Sequence, residues 1–157
     1  MEGHILMRQE HTHCLRKGRI SEIGRIYSVT SVTAGRIPIF KDWCLGRLVV
    51  QEFRAAEQDR LVSSLAWVVM PDHFHWLFEL KAGSLDTLLK RVKARSAIAF
   101  NRATQGKGRI WQKGFHDRAV RYDDDIQSMA RYIVANPLRA RLVSRLGDYP
   151  LWDAIWV

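Results

Sequence analysis

Two apolar runs held apart by a single proline constrain this chain more than any other feature. Val62 to Val69 is apolar and rich in β-branched residues, and His73 to Leu80 alternates in character. Between them stands Met70-Pro71-Asp72. Proline has no N–H to give to a strand ladder, so the chain turns there and the two runs form a hairpin. Successive side chains of a strand point to opposite faces. Phe74, Trp76, Phe78 and Leu80 therefore share one face, which belongs in the core. His73, His75, Leu77 and Glu79 share the other, which is free to carry a site.

The surrounding pattern supplies the other elements. Ile26 to Thr33 reads as a strand broken by Gly35 and Pro38. From Asp42 to about Arg60, Leu45, Leu48, Val49, Phe53 and Ala56 recur at helical spacing. Ser84 suits the N-cap of a second helix carrying Leu85, Leu88, Leu89, Val92, Ala99 and Phe100, in which the small polar Ser96 interrupts the stripe. Gly106 and Gly108 end that region, and Phe115 to Val120 reads as a short strand. Asp123 to Asp125 open a last helix that turns Ile126, Met129, Ala130 and Ile133 inward and that Pro137 closes near Asn136. The order β-α-β-β-α-β predicts an α+β, ferredoxin-like (RRM-like) antiparallel sheet with helices on one face. Residues 1–20 read as a basic arm, 21–138 as the main domain, and 139–157 as a C-terminal segment whose Trp152, Ile155 and Trp156 pack back on it.

Charge narrows the partner. Twenty-five Lys and Arg against sixteen Asp and Glu give a net charge of +9 and a pI near 10.1, which points to a polyanion. The excess is local. From Lys90 to Arg121 there are ten basic residues against Asp117 alone, interleaved with Phe100, Trp111 and Phe115. Arg16, Lys17 and Arg19 form a second cluster, and Arg131, Arg139, Arg141 and Arg145 a third. Guanidinium groups neutralise phosphates and exposed rings stack on unpaired bases, although the same pattern also describes a solvated face over core aromatics. No apolar run reaches membrane-spanning length, and the first fifteen residues lack the character of a signal peptide. Cys14 and Cys44 have neither zinc nor disulfide-framework spacing, as in a reduced, cytoplasmic protein.

Two spacings carry chemistry. His73-Phe74-His75 puts two imidazoles on one strand face, where they can share a metal ion or simply face solvent. Tyr132 and Asn136, four apart in the last helix, share a face. Tyr132 lies at the margin of the apolar stripe, as a nucleophile for a phosphodiester or as a ring packed at the core edge. Asn136 is a neutral third ligand or a helix cap. A divalent cation at the histidines would polarise a scissile phosphate.

With these motifs the chain resembles the single-tyrosine transposases of the HUH nuclease superfamily, and within them the REP-associated tyrosine transposases of bacteria. The resemblance is carried, in order, by Leu15-Arg16-Lys17-Gly18-Arg19, Ile26-Tyr27-Ser28-Val29-Thr30, Val68-Val69-Met70-Pro71-Asp72-His73-Phe74-His75-Trp76, Trp111-Gln112-Lys113-Gly114-Phe115-His116-Asp117-Arg118 and Tyr132-Ile133-Val134-Ala135-Asn136-Pro137. It implies a catalytic domain over 21–138 that binds Mg2+ or Mn2+ through His73, His75 and Asn136, with Tyr132 as nucleophile. Where the wider family often has Gln, this chain has Asn136. It implies a bacterial, nucleoid-associated enzyme that cuts single-stranded DNA beside hairpins of REP-like palindromes with an adjacent guide sequence. A 5′-phosphotyrosine link and a free 3′-hydroxyl result. It also implies a monomer, where the wider family often forms dimers with a swapped tyrosine helix. Arg16, Lys17 and Arg19 are candidates for the guide sequence or hairpin foot, Lys90, Arg91, Lys93, Arg95 and Arg118 for phosphates, and Trp111 for stacking on a base. His116 is either a third histidine near the site or a surface imidazole. Two other readings stay open: a hairpin-binding protein without catalysis, and a hydrolase in which water attacks and Tyr132 is structural.

Overall fold

The computed structural model describes residues 21–121 and 123–156, so the expected arm and its Arg16, Lys17 and Arg19 lie outside the described residues. Among the described residues, five strands and four α-helices follow in the order β1 (Ile26–Val32), α1 (Trp43–Gln58), β2 (Val62–Met70), β3 (His73–Leu80), α2 (Leu85–Thr104), β4 (His116–Ala119), α3 (Ile126–Val134), α4 (Asn136–Arg139) and β5 (Trp152–Ala154). The strands make one sheet in the order β4-β1-β3-β2-β5, with every neighbouring pair antiparallel. The first four strands have the ferredoxin-like arrangement expected from the element order.

The helices begin where their caps say. The side chains of Asp42, Ser84 and Asp125 accept hydrogen bonds from the backbone N–H groups of Cys44, Thr87 and Ser128, satisfying donors that a helix start leaves free. α1 and α2 pack together over the aromatic face of the hairpin. Phe53 of α1 stacks on Trp76 at 4.4 Å between ring centroids and meets Phe74 edge-on at 5.0 Å. Phe74, Trp76, Phe78 and Leu80 are all fully buried. The polar interruption at Ser96 has a partner: Trp111 Nε1 donates to its hydroxyl at 3.0 Å, and that hydroxyl donates to the Lys93 carbonyl.

α3 lies on the opposite face, against β2, β3 and β5. It covers Val68 and Leu77, which are completely buried, and leaves the histidine end of β3 at its border. The last long helix stops near Asn136, as expected from Pro137, and Pro137 itself opens a further short helix. α3 ends at Val134, and the chain starts the four-residue α4 with Pro137 in its first turn, where a missing N–H costs nothing. β5 was not foreseen as a strand. It covers the outer edge of β2, helped by the Tyr149 hydroxyl, which donates to the Val69 carbonyl at 2.6 Å. Burial pushes the Tyr149 phenol up to about 12.

Candidate active site

The β2–β3 turn is only Pro71-Asp72, and it delivers both histidines in a fixed register. His73 and His75 bring their rings to 4.9 Å between centroids, nearly perpendicular. Each is held by its Nδ1. Asp72 Oδ1 lies 2.7 Å from His73 Nδ1, and Thr30 Oγ1 lies 2.7 Å from His75 Nδ1. Thr30 is the residue of β1 directly across from His75. Where Nδ1 carries the proton and donates to these oxygens, Nε2 keeps its lone pair, the arrangement in which an outer oxygen orients an imidazole for a metal.

Electrostatics agree. Burial is the main force that lowers the His75 pKa to about 4, and the nearby charges of His73 and Arg139 add to it. His75 is therefore neutral at pH 7, as a ligand must be. Burial works against the charge of Asp72, but its contacts with His73 and Arg36 outweigh that and hold the carboxyl below its usual value. Arg36 Nη1 sits 3.3 Å from Asp72 Oδ2.

The nucleophile candidate comes from the other layer. Tyr132 is 67% exposed, and it lines a cleft of about 480 Å³ with Ser28, Thr30, His75, Arg118 and Asn136. Asn136 donates its Nδ2 to the Ile133 carbonyl at 3.0 Å, and its Oδ1 has no partner among the described residues. Among the described residues no cluster of three His, Cys, Asp or Glu could hold a metal, so a cation here would rest on two imidazoles and one amide oxygen. His75 and Asn136 line the cleft, and His73 stands beside His75 at 4.9 Å between ring centroids, a donor set of imidazoles and an amide oxygen that fits a divalent cation.

Three groups at this site went unnoticed in the sequence. Thr30 and Asp72 hold the rings from outside. Arg139 lays its guanidinium carbon 3.7 Å from the centroid of the Tyr132 ring. It comes from α4, beyond the end of α3, so a helical period read through Tyr132 alone does not reach it.

The basic candidates divide. Arg118 lines the cleft and pairs with Asp124 at 3.2 Å. Lys90, Arg91, Lys93 and Arg95 stand on α2, in the layer over the other face of the sheet. Arg91 pairs with Asp59, Arg95 with Glu52 at 2.9 Å, and Lys93 donates to the carbonyls of Gln112 and Gly114. Lys90 is exposed and borders a separate groove of about 670 Å³ with Arg109 and Lys113. Trp111 needs correction as a stacking residue. It is 5% exposed, packs on Phe40 and Phe74 and donates its N–H to Ser96, so it serves chiefly in the core, although it also lines the groove that Lys90 borders. His116 is exposed on β4, one strand beyond Thr30 in the same cross-strand row as His75.

Comparison with known proteins follows this geometry. A REP-associated tyrosine transposase of Escherichia coli K12 is 31% identical over 96 residues, covering 60% of this chain and 55% of that protein. A putative REP-associated tyrosine transposase of Haemophilus influenzae is 27% identical over 116 residues, covering 64% of this chain and 66% of its own length. The matches thus span between about half and two thirds of these relatives. A solved structure of a REP-associated tyrosine transposase bound to a REP hairpin superposes with a TM-score of 0.70 at 24% identity, over 85% of this chain and 79% of that one. A putative transposase of Deinococcus radiodurans superposes at 0.53 and 20% identity, over 76% and 95%. These likenesses share the fold. The family model described as "Transposase IS200 like" matches residues 24–136, well over half of the chain and a stretch that holds both histidines, Tyr132 and Asn136. The chain belongs to the IS200-like transposase family.

Proposed function

We propose that this protein cuts and rejoins single-stranded DNA beside a hairpin through a covalent bond to Tyr132. The observation that carries this reading is the meeting of Tyr132, His75 and Asn136 in one cleft of a single chain. The hairpin partner is suggested by the REP hairpin bound to the structural relative. His73, His75 and Asn136 would hold Mg2+ or Mn2+, which when bound supplies polarisation of the scissile phosphate and stabilises its developing charge.

The residues then have distinct tasks. Thr30 and Asp72 keep the two imidazoles oriented through their Nδ1 atoms. The Tyr132 oxygen attacks phosphorus, so an O–P bond to tyrosine forms and the bond to the 3′-oxygen breaks. The phenolic proton is released to solvent, and the departing oxygen takes one from water to leave as a 3′-hydroxyl. Reversal with a different 3′-hydroxyl rejoins strands. Arg118, exposed Lys90 with Arg109 and Lys113, and the arm residues Arg16, Lys17 and Arg19 are assigned to phosphates and hairpin foot.

The test is a denaturing gel of a labelled hairpin oligonucleotide incubated with protein in Mn2+. A covalent adduct is expected with the wild type, and none with Tyr132→Phe or after chelation. Cleavage with turnover but no adduct would move the reading to a hydrolase. Salt-sensitive binding without cleavage would leave a hairpin-binding protein.

A further inference from the structure

Tyr132 does not stand alone in its cleft. The Arg139 guanidinium rests on its ring at 3.7 Å, and the charge of that group is close enough to bear on His75. A guanidinium presents five N–H donors in a plane. In Arg118, also at the cleft, part of that capacity is taken by Asp124. Among the described residues the side chain of Arg139 has no carboxylate partner and makes no hydrogen bond. Its stem is exposed on α4, whose first turn is fixed by Pro137 and by backbone bonds from Leu138 and Arg139 back to Ala135. The position is thus set by the backbone and by the ring, while the donors stay unspent.

We propose that Arg139 is a catalytic residue that grips a non-bridging oxygen of the scissile phosphate, using the Tyr132 ring as its platform. This inference deepens the tyrosine-adduct reading and rests on it. A cation stacked on the attacking ring moves with that ring. A phosphate bound to its donors is therefore brought to the phenolic oxygen by the same contact that orients the side chain. Guanidinium forks suit phosphate oxygens better than an ammonium does, and in a partly enclosed cleft such a bond strengthens as charge develops on phosphorus. A purely structural role predicts something different, because a ring-packing residue is indifferent to the charge of the substrate.

That difference sets the experiment. Two hairpin oligonucleotides are made alike, one with a normal diester at the cut position and one with a neutral methylphosphonate there. Their dissociation constants are measured on Tyr132→Phe protein, which retains a ring under Arg139, with Arg139 intact and with Arg139→Met or Arg139→Lys. The diester is expected to bind about tenfold more tightly than the methylphosphonate when Arg139 is present, the order that one charge-assisted hydrogen bond carries. With divalent cation chelated, Arg139→Met, which keeps an apolar stem against the ring, should lose most of that preference, and Arg139→Lys should regain part of it. An undiminished preference in Arg139→Met overturns the proposal, as does a wild-type preference below twofold. On the Tyr132 protein, kcat for adduct formation should fall about 10²–10³-fold in Arg139→Met with KM little changed, the loss typical of one oxyanion donor. Absence of any adduct with wild-type protein defeats the tyrosine reading itself, and the binding comparison still reports on whether Arg139 holds that phosphate.

Discussion

Single atoms decide whether this site can hold a cation. Thr30 Oγ1 and Asp72 Oδ1 each engage one Nδ1 and so fix the rotation of each ring. Outer partners of this kind commonly govern metal affinity by 10–100-fold. Thr30→Val should therefore weaken Mn2+ binding by roughly that factor, read by calorimetric titration, while leaving thermal stability nearly unchanged. Asp72→Asn should act in the same direction through His73; equal Mn2+ affinity in both variants and wild type would show that the imidazoles need no outer support. The two histidines and the Tyr132–Asn136 pair were legible because strand and helix periods place them without reference to anything distant. Thr30 was not, since its contact with His75 spans 45 residues and depends on the β1–β3 register. Arg139 was hidden by Pro137, which reads as a terminus yet sits inside a new first turn.

At the scale of elements, the packing is set by close approaches that residue periodicity does not reveal. Gly46 lies inside α1, where a glycine ordinarily weakens a helix by up to about 1 kcal/mol. A Cβ at that position would come within 2.5 Å of Leu151 Cδ1, and Leu151 is itself fully buried. Gly46→Ala should thus destabilise, by about 1–3 kcal/mol in urea unfolding, despite the gain in helix propensity. Ser96→Ala should cost a similar amount, about 1–3 kcal/mol, by leaving the buried Trp111 N–H without an acceptor. The serine looked like a fault in the stripe of α2 because its partner lies in a loop fifteen residues on. The approach of the C-terminal segment to β2 also has a pH signature. Tyr149 is neutral when folded, with its pKa raised above the unfolded value near 10 to about 12. Its contribution is fully present below pH 10 and is lost as pH rises toward 12, at up to about 1.4 kcal/mol per unit. Tyr149→Phe should be less stable than wild type at pH 8 but lose less on passing from pH 9 to 11, as followed by urea unfolding at each pH.

Across the whole molecule, charge and topology separate two surfaces. The cleft holds the candidate chemistry, and the groove beside α2 gathers Lys90, Arg109 and Lys113 on the other side of the sheet. Neutralising all three should lower the slope of log affinity for a hairpin against log salt by about two to three, roughly one per cation, while adduct formation on saturating hairpin is retained. An unchanged slope would place the DNA elsewhere. The ferredoxin-like order was legible because each of its elements announces itself locally. The fifth strand was not, because three residues are too few for an alternation to register. That brevity has a result of its own. The sheet is bordered by β4, four residues long, and β5, three residues long, and such stubs offer a neighbour little ladder on which to continue. Tyr132, His75 and Asn136 likewise meet within one polypeptide. Under the proposed chemistry, dilution should then leave the specific rate of adduct formation untouched down to nanomolar protein, the behaviour expected of a copy that acts alone; a rate that falls with dilution would point to paired copies.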